Sequence, residues 1–455
     1  MESIFDIPAD LHTPVSAYLR LEPMQPRYLL ESVEGGHTGR YSFIGFGGTR
    51  RFTVEDDGVF EGGQRIHDGV LDGLRAALAG IPVCEPFDPT AEPFGGGLVG
   101  VAAFDLVRRL YKLAPSPHPG RGPDGVYMAT DSILVFDHLT RRMALLHVGS
   151  DAERQTLRRD VVAALRGPLT AAHPPAKHGP AQPSMSEAEY VEGVEAVKRH
   201  IAAGDVYQLV LSIRFTGETE VEPFAAYRGL RLMNPSPYMY FIDTGDLQVV
   251  GSSPEALARL NEGKAELRPI AGTRPRGRTD DEDGRLEREL LGDAKEAAEH
   301  VMLVDLARND LGRTARAGTV LVDPYRAIER YSHVMHMVSG VTGELRDGLD
   351  AFDLFAASFP AGTVSGAPKL RAIEIIDELE PVARGLYSGS IGYFGHGGSM
   401  DQAITIRTLV FGDGEYTYQA GAGIVADSDP VTEHREVLSK GAALESALEL
   451  AKEGL

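Results

Sequence analysis

Apolar and polar positions follow two rhythms along the chain, and each predicts a type of element. Period-two stretches read as strands: Gly125-Val-Tyr-Met128, Ser132-Ile-Leu-Val-Phe136, residues 205–215 and residues 403–410, the last placing Arg407 on one face. Val249-Val-Gly-Ser-Ser-Pro-Glu255 reads as a strand running into a turn that presents a glutamate. Helical spacing covers residues 187–203 and stops at Gly204, a C-cap. It returns over residues 287–310, where Leu290, Ala294, Ala297, Val301, Val304 and Ala307 fall at three- and four-residue steps. A last helix, capped by Thr432, closes the chain. From Gly167 to Ser186 the sequence turns to Pro, Ala, His and Gly without period, which predicts a flexible connection. The expected organisation is an N-terminal region (1–170), a linker (171–187) and a second region (188–455).

Charge and cysteine content narrow the function classes. The chain has 455 residues, and its 66 acidic against 45 basic side chains leave a formal charge of -21. Nonspecific nucleic-acid binding needs basic surface to displace counterions, so that class is disfavoured. One cysteine, Cys84, excludes an internal disulfide and a Cys-based zinc site, and fits a reducing cytoplasm. No 18-residue apolar run occurs, and Met-Glu-Ser-Ile-Phe-Asp lacks the basic start and apolar core of a signal peptide, so a soluble, cytoplasmic protein is expected.

Candidate chemistry collects between Pro360 and Lys440. Pro360-Ala-Gly-Thr-Val-Ser-Gly-Ala-Pro-Lys369, Arg384-Gly-Leu-Tyr-Ser-Gly-Ser-Ile-Gly-Tyr393 and the run from Gln419 to Glu436 supply backbone amides, a tyrosine hydroxyl and carboxylates, with Arg407 between them. Such a set suits a small, multiply charged ligand. The glycine spacing departs from the Gly-x4-Gly-Lys phosphate loop, and there is no Gly-x-Ser-x-Gly elbow or His-Glu-x-x-His motif. Arg268-Pro-Ile-Ala-Gly-Thr-Arg-Pro-Arg-Gly277 is either an anion cradle or a structural turn. Glu296 and Glu299 share one helix face, as do Glu433, Glu436 and Lys440 on another. These are either solvated faces or two carboxylate pairs that hold one hard cation, for which magnesium is suited.

Four motifs in order carry a resemblance: Pro269-Ile-Ala-Gly-Thr-Arg-Pro-Arg-Gly277, Glu299-His-Val-Met-Leu-Val-Asp-Leu-Ala-Arg-Asn-Asp310, Gly362-Thr-Val-Ser-Gly-Ala-Pro-Lys369 and Gln419-Ala-Gly-Ala-Gly-Ile-Val425. The chain resembles the chorismate-utilising enzymes, most closely the large subunit of anthranilate synthase, densely over 187–452 and more loosely before. The resemblance implies an α+β fold of two facing antiparallel or mixed β-sheets with helices outside. It also implies magnesium-dependent conversion of chorismate and ammonia to anthranilate and pyruvate. Carried over by motif, Gly272, Thr273, Tyr387, Arg407, Gly421, Ala422, Gly423 and Lys440 bind chorismate, and Glu299 and Glu436 bind Mg2+. Glu255 matches the general acid that protonates the departing C4 hydroxyl, and Thr363 is grouped with it as catalytic. His336 is placed near the reacting ring, assisting proton removal or serving as a core histidine.

Within the family, aminodeoxychorismate synthases typically carry lysine where this chain has Ala271, and isochorismate synthases use a lysine in the stretch matching residues 205–212, which has none here. A site without either amine takes external ammonia, supplied by a separate glutamine amidotransferase subunit, since no glutaminase segment is visible. Leu29-Leu-Glu-Ser32 and Asn234-Pro-Ser-Pro-Tyr-Met239 match the family's tryptophan site, implying feedback inhibition through Ser32, Pro237, Tyr238 and Met239. The alternatives are an aminodeoxychorismate synthase and a non-catalytic tryptophan sensor.

Overall fold

The computed structural model describes residues 4–32, 39–88, 94–111, 113–169, 175–331 and 334–454. One large, curled, antiparallel sheet runs through them, with a small three-stranded sheet beside it. One apolar cluster, with Val99, Val101, Met128, Ile242, Val249 and Ile391, consists of strand residues apart from Phe5, Cys84 and Phe94. Two faces of the sheet therefore press on each other there. The other two large clusters add helical residues such as Val194, Leu230 and Leu448 on one side and Leu74, Leu311 and Phe355 on the other. The architecture is thus facing sheet layers with helices outside. No helix among the described residues is long and apolar enough to cross a membrane.

Among the described residues, strand pairing crosses the 171–187 segment twice. Gly97–Ala102 pairs with Ser390–Gly395, and Tyr28–Glu31 pairs with Tyr238–Asp243. Each half of the chain thus supplies strands to the same sheet.

Several predicted elements shift for local reasons. The helix expected over 287–310 is two helices, Asp280–Gly292 and Ala294–Gly312. Asp293 breaks them, because its backbone is extended and its carboxylate accepts from the amides of Lys295 and Glu296 as an N-cap. The last helix is Pro430–Lys452 and is capped by Asp429, not Thr432, because Pro430 occupies the first helical position and Asp429 accepts from Thr432 N. The strand expected over 403–410 is interrupted between Met400–Ile404 and Thr408–Gly412, where Arg407 adopts φ 50°. A left-handed residue ends the alternation and re-aims its side chain. Conversely, the two strands expected near 125–136 are one, Gly125–Asp137. The helix Glu187–Ala203 ends at Gly204 with φ 83°, as its spacing indicated.

Candidate active site

The floor of the site is the pairing of Gln208–Glu218 with Glu415–Ile424, in which Val210 faces Gly423 and Ser212 faces Gly421. Alternation sends Leu211, Ile213, Ala420 and Ala422 into the helix-covered core. The opposite face offers Gln208, Val210, Gln419, Gly421 and Gly423 to a cavity of about 190 Å3. The glycines leave room for neighbours. A Cβ at Gly421 would lie 2.8 Å from the Tyr387 hydroxyl oxygen, and one at Gly423 would lie 2.5 Å from Gln208 Nε2.

Eight of the residues picked out by motif line this cavity: Glu255, Glu299, Thr363, Tyr387, Arg407, Gly421, Gly423 and Lys440. They come from seven separate stretches of sequence. Ala422 directs its methyl to the other face of its strand. Gly272, Thr273 and His336 lie to one side, in the small sheet where Ile270–Pro275 pairs with Val334–Val338, and of that first strand Ile270 reaches the cavity wall. There Thr273 Oγ1 is 3.0 Å from His336 Nδ1, and the Gly272 carbonyl is 3.3 Å from the same nitrogen. Burial lowers the His336 pKa, against an opposing contribution from the Gly272 carbonyl, which favours a neutral imidazole. Gly272 has φ 73° at a bulge, and a Cβ there would meet Leu290 at 2.8 Å.

Glu255 is the buried acid of the cavity. Desolvation pushes its carboxyl up to about 8, with a smaller lowering from the Thr363 hydroxyl. It is therefore mostly protonated at neutral pH and able to give a proton. Arg407 lines the same space. Tyr387 is half-buried, and the Arg384 guanidinium lies 5.5 Å from its ring centre.

The carboxylates expected for a metal stand on two helices, Glu296 and Glu299 on Ala294–Gly312 and Glu433 and Glu436 on Pro430–Lys452. Burial first, then the charges of Glu296 and Glu436, raises Glu299. Burial, with an added contribution from Glu436, raises Glu433. Glu296 is paired to Arg274, and Lys440 Nζ bridges Glu436 Oε1 at 2.8 Å and the Gly421 carbonyl at 2.9 Å. Among the described residues no three His, Cys, Asp or Glu side chains converge on one point as a ready metal cage. Of the four carboxylates, Glu299 lines the cavity, and Glu436 lies near enough to raise its pKa; hard oxygen donors of this kind suit a cation that retains waters and is completed by an anionic ligand.

A second constellation forms where Tyr28–Glu31 pairs with Tyr238–Asp243, Met239 lying opposite Glu31. This brings Ser32 beside Tyr238 and Met239. Ser32 Oγ is buried without a hydrogen-bond partner among the described residues, Met239 is buried, and Pro237 is half-buried. The Tyr238 hydroxyl donates to Asp401 at 2.8 Å and accepts from Arg259 Nε at 2.6 Å. The two tryptophan-type motifs, some 200 residues apart, are neighbours in the sheet.

Motif reasoning did not single out Gln208, Gln419, Arg384 or Glu380. Gln419 opens a quoted motif and Gln208 lies in a predicted strand, so alternation from Gly421 and Gly423 would have placed Gln419 on the cavity face.

A curled sheet with outer helices and a polar cavity over a glycine-bearing strand pair defines a class. Residues 25–446 match the model of the chorismate binding enzymes, and the chain belongs to that family. It is 47% identical to anthranilate synthase component 1 of Thermus thermophilus, over 98% of this chain and 97% of that one. Identity to anthranilate synthase component 1 of Aquifex aeolicus is 46%, over 98% and 94%. The crystal structure of anthranilate synthase component I from Streptococcus pneumoniae superimposes with a TM-score of 0.81 at 34% identity, covering 96% and 98% of the two chains. The menaquinone-specific isochorismate synthase of Escherichia coli shares the fold, with a TM-score of 0.72 at 21% identity over 95% and 91%.

Proposed function

We infer that this chain is the chorismate-binding component of an anthranilate synthase, converting chorismate and ammonia to anthranilate and pyruvate. The observation that carries the reading is the convergence of a protonated, buried Glu255 with Arg407, Tyr387 and the Gly421 to Gly423 strand around one small cavity. Chorismate is a dianion. Arg407, Tyr387 and neighbouring backbone groups suit one carboxylate. Glu299 and Glu436 would hold Mg2+, which would neutralise the other carboxylate. Ammonia forms a bond to C2 as the ring double bonds shift and the C4 oxygen bond breaks. Hydroxide leaves poorly, so Glu255 gives its proton and water departs. Loss of the C2 proton with cleavage of the enolpyruvyl ether then makes the ring aromatic.

Position 271 is alanine, and the lysine that lines the cavity, Lys440, is held by Glu436 and the Gly421 carbonyl, so the amine comes from outside the chain. A glutamine amidotransferase subunit supplies it in the cell. The single thiol, Cys84, is buried and pushed up to about 12 by desolvation, which fits an unreactive thiol in a reducing cytoplasm. Tryptophan binds at Ser32, Pro237, Tyr238 and Met239 and inhibits.

Purified chain with chorismate, Mg2+ and an ammonium salt at mildly alkaline pH is expected to produce anthranilate fluorescence and pyruvate. Glutamine in place of ammonium is expected to give none. A product that retains its enolpyruvyl ether would instead identify an aminodeoxychorismate synthase.

A further inference from the structure

An amide oxygen in the cavity wall, Gln419 Oε1, lacks a hydrogen-bond partner among the described residues, and its orientation follows from a chain of hydrogen bonds. Arg384 grips Glu380 with a fork, Nε to Oε2 at 2.9 Å and Nη2 to Oε1 at 2.6 Å, and also donates to the carbonyls of Val210 and Val364. Ser212 donates to the same carboxylate twice, through its backbone N at 2.9 Å and its Oγ at 2.6 Å. A hydroxyl has one proton, so a serine that gives it to a carboxylate can only accept from its other neighbour. That neighbour is Gln419 Nε2, 2.8 Å from Ser212 Oγ. The amide is thereby fixed with its NH2 towards Ser212 and its carbonyl turned away. Gln419 is 5% exposed, it lines the cavity, and its Oε1 has no hydrogen-bond partner. A buried acceptor left bare is costly, on the order of 1–3 kcal/mol, unless a ligand satisfies it.

The substrates differ in what they offer such an atom. Chorismate has two carboxylates, which accept, and one hydroxyl, whose oxygen has to meet Glu255. Ammonia has three N–H donors and the lone pair that attacks. The wall group is also neutral: a carboxylate there would favour ammonium, which has no lone pair, whereas an amide carbonyl binds N–H without favouring protonation. We propose that Gln419 Oε1 is the acceptor that holds and orients ammonia in the chorismate cavity, and that Ser212, set by the Arg384–Glu380 pair, is the positioning residue that keeps this carbonyl facing inward. The inference rests on the anthranilate synthase reading given above.

Steady-state kinetics of the full chain with varied ammonium chloride and varied chorismate, at fixed pH and Mg2+, test it. Gln419→Met keeps the length and loses the acceptor; its KM for ammonium should rise about tenfold while its KM for chorismate stays within about twofold. Ser212→Ala frees the amide to turn over, and should raise the ammonium KM in the same direction by a smaller factor. Each variant decides alone should the other fail to fold, which circular dichroism would show. An unchanged ammonium KM overturns the proposal. So does a rise in chorismate KM alone, which would assign the carbonyl to the C4 hydroxyl. Wild type that makes no anthranilate from ammonium removes the function and this proposal together, whereas active wild type with unshifted variants removes the proposal only.

Discussion

Glu255, the proposed general acid, is held neutral by burial at the expense of the fold. Its ordinary pKa of 4.5 rises to about 8 in the folded chain, because burial disfavours the charged form. The folded state therefore binds this proton more tightly than the unfolded state does. That advantage is fully present below about pH 4.5 and is lost as pH rises to about 8, by about 1.4 kcal/mol per unit. Glu255→Gln stays neutral throughout. It should melt higher than wild type at pH 8, with the difference closing at acid pH, while turnover falls by about 100-fold or more. Wild-type turnover, corrected for the concentration of free ammonia, should decline above about pH 8 as the acid ionises. Thermal melts at several pH values and pH-rate profiles check both signs, and an equal melting point for wild type and variant at pH 8 would contradict the burial argument.

Helix ends decide where the metal-type carboxylates stand. The break at Asp293 starts Ala294–Gly312 afresh, and the same carboxylate that caps Lys295 and Glu296 also receives Arg274 Nη2 at 2.9 Å. Asp293→Ala should cost about 1 kcal/mol in urea unfolding, the usual loss for an N-cap. Because Glu296 and Glu299 lie on the first two turns, the variant should also need more Mg2+ for half-maximal activity. Glu299→Gln should be nearly inactive with its fold intact, and excess chelator should silence the wild type. Wild-type turnover in chelator would remove magnesium from the site.

Across the whole molecule, strand pairing between distant segments gives the proposed regulation a physical route. Tyr28–Glu31 lies beside Tyr238–Asp243, and the latter pairs with Gln248–Ser253, which leads directly to Glu255. A ligand seated at Ser32 and Met239 thus touches strands continuous with the active site, and it inhibits if it binds one arrangement of them better than another. Tryptophan should weaken chorismate binding, and chorismate should weaken tryptophan binding by the same factor. The chain has no tryptophan of its own, so emission of added tryptophan reports binding directly. Ser32→Ala, which removes the unpartnered buried hydroxyl, should lower tryptophan affinity by about threefold to tenfold and leave uninhibited turnover near wild type. Inhibition unchanged in Ser32→Ala would move the site elsewhere.

Local rules were legible in the sequence where local chemistry decides structure. Gly204 ends a helix because a left-handed residue was needed there, and period two placed a strand over residues 205–215, observed as Gln208–Glu218. Long motifs supplied the family, the α+β class and eight of the residues that line the cavity. Other boundaries lay beyond periodicity, since apolar spacing passes smoothly through Asp293 and Arg407 while a cap and a left-handed backbone interrupt them. Tertiary structure alone decided which candidates share a wall. It put Gly272, Thr273 and His336 in a neighbouring sheet and brought Ser32 beside Met239. It also turned the Gln419 carbonyl towards the cavity through a hydrogen-bond chain in which Gln419 donates to Ser212, and Ser212 and Arg384 both donate to Glu380. Sequence carries the rhythm of each element, but the direction of a buried amide depends on protons committed by residues more than 30 positions away.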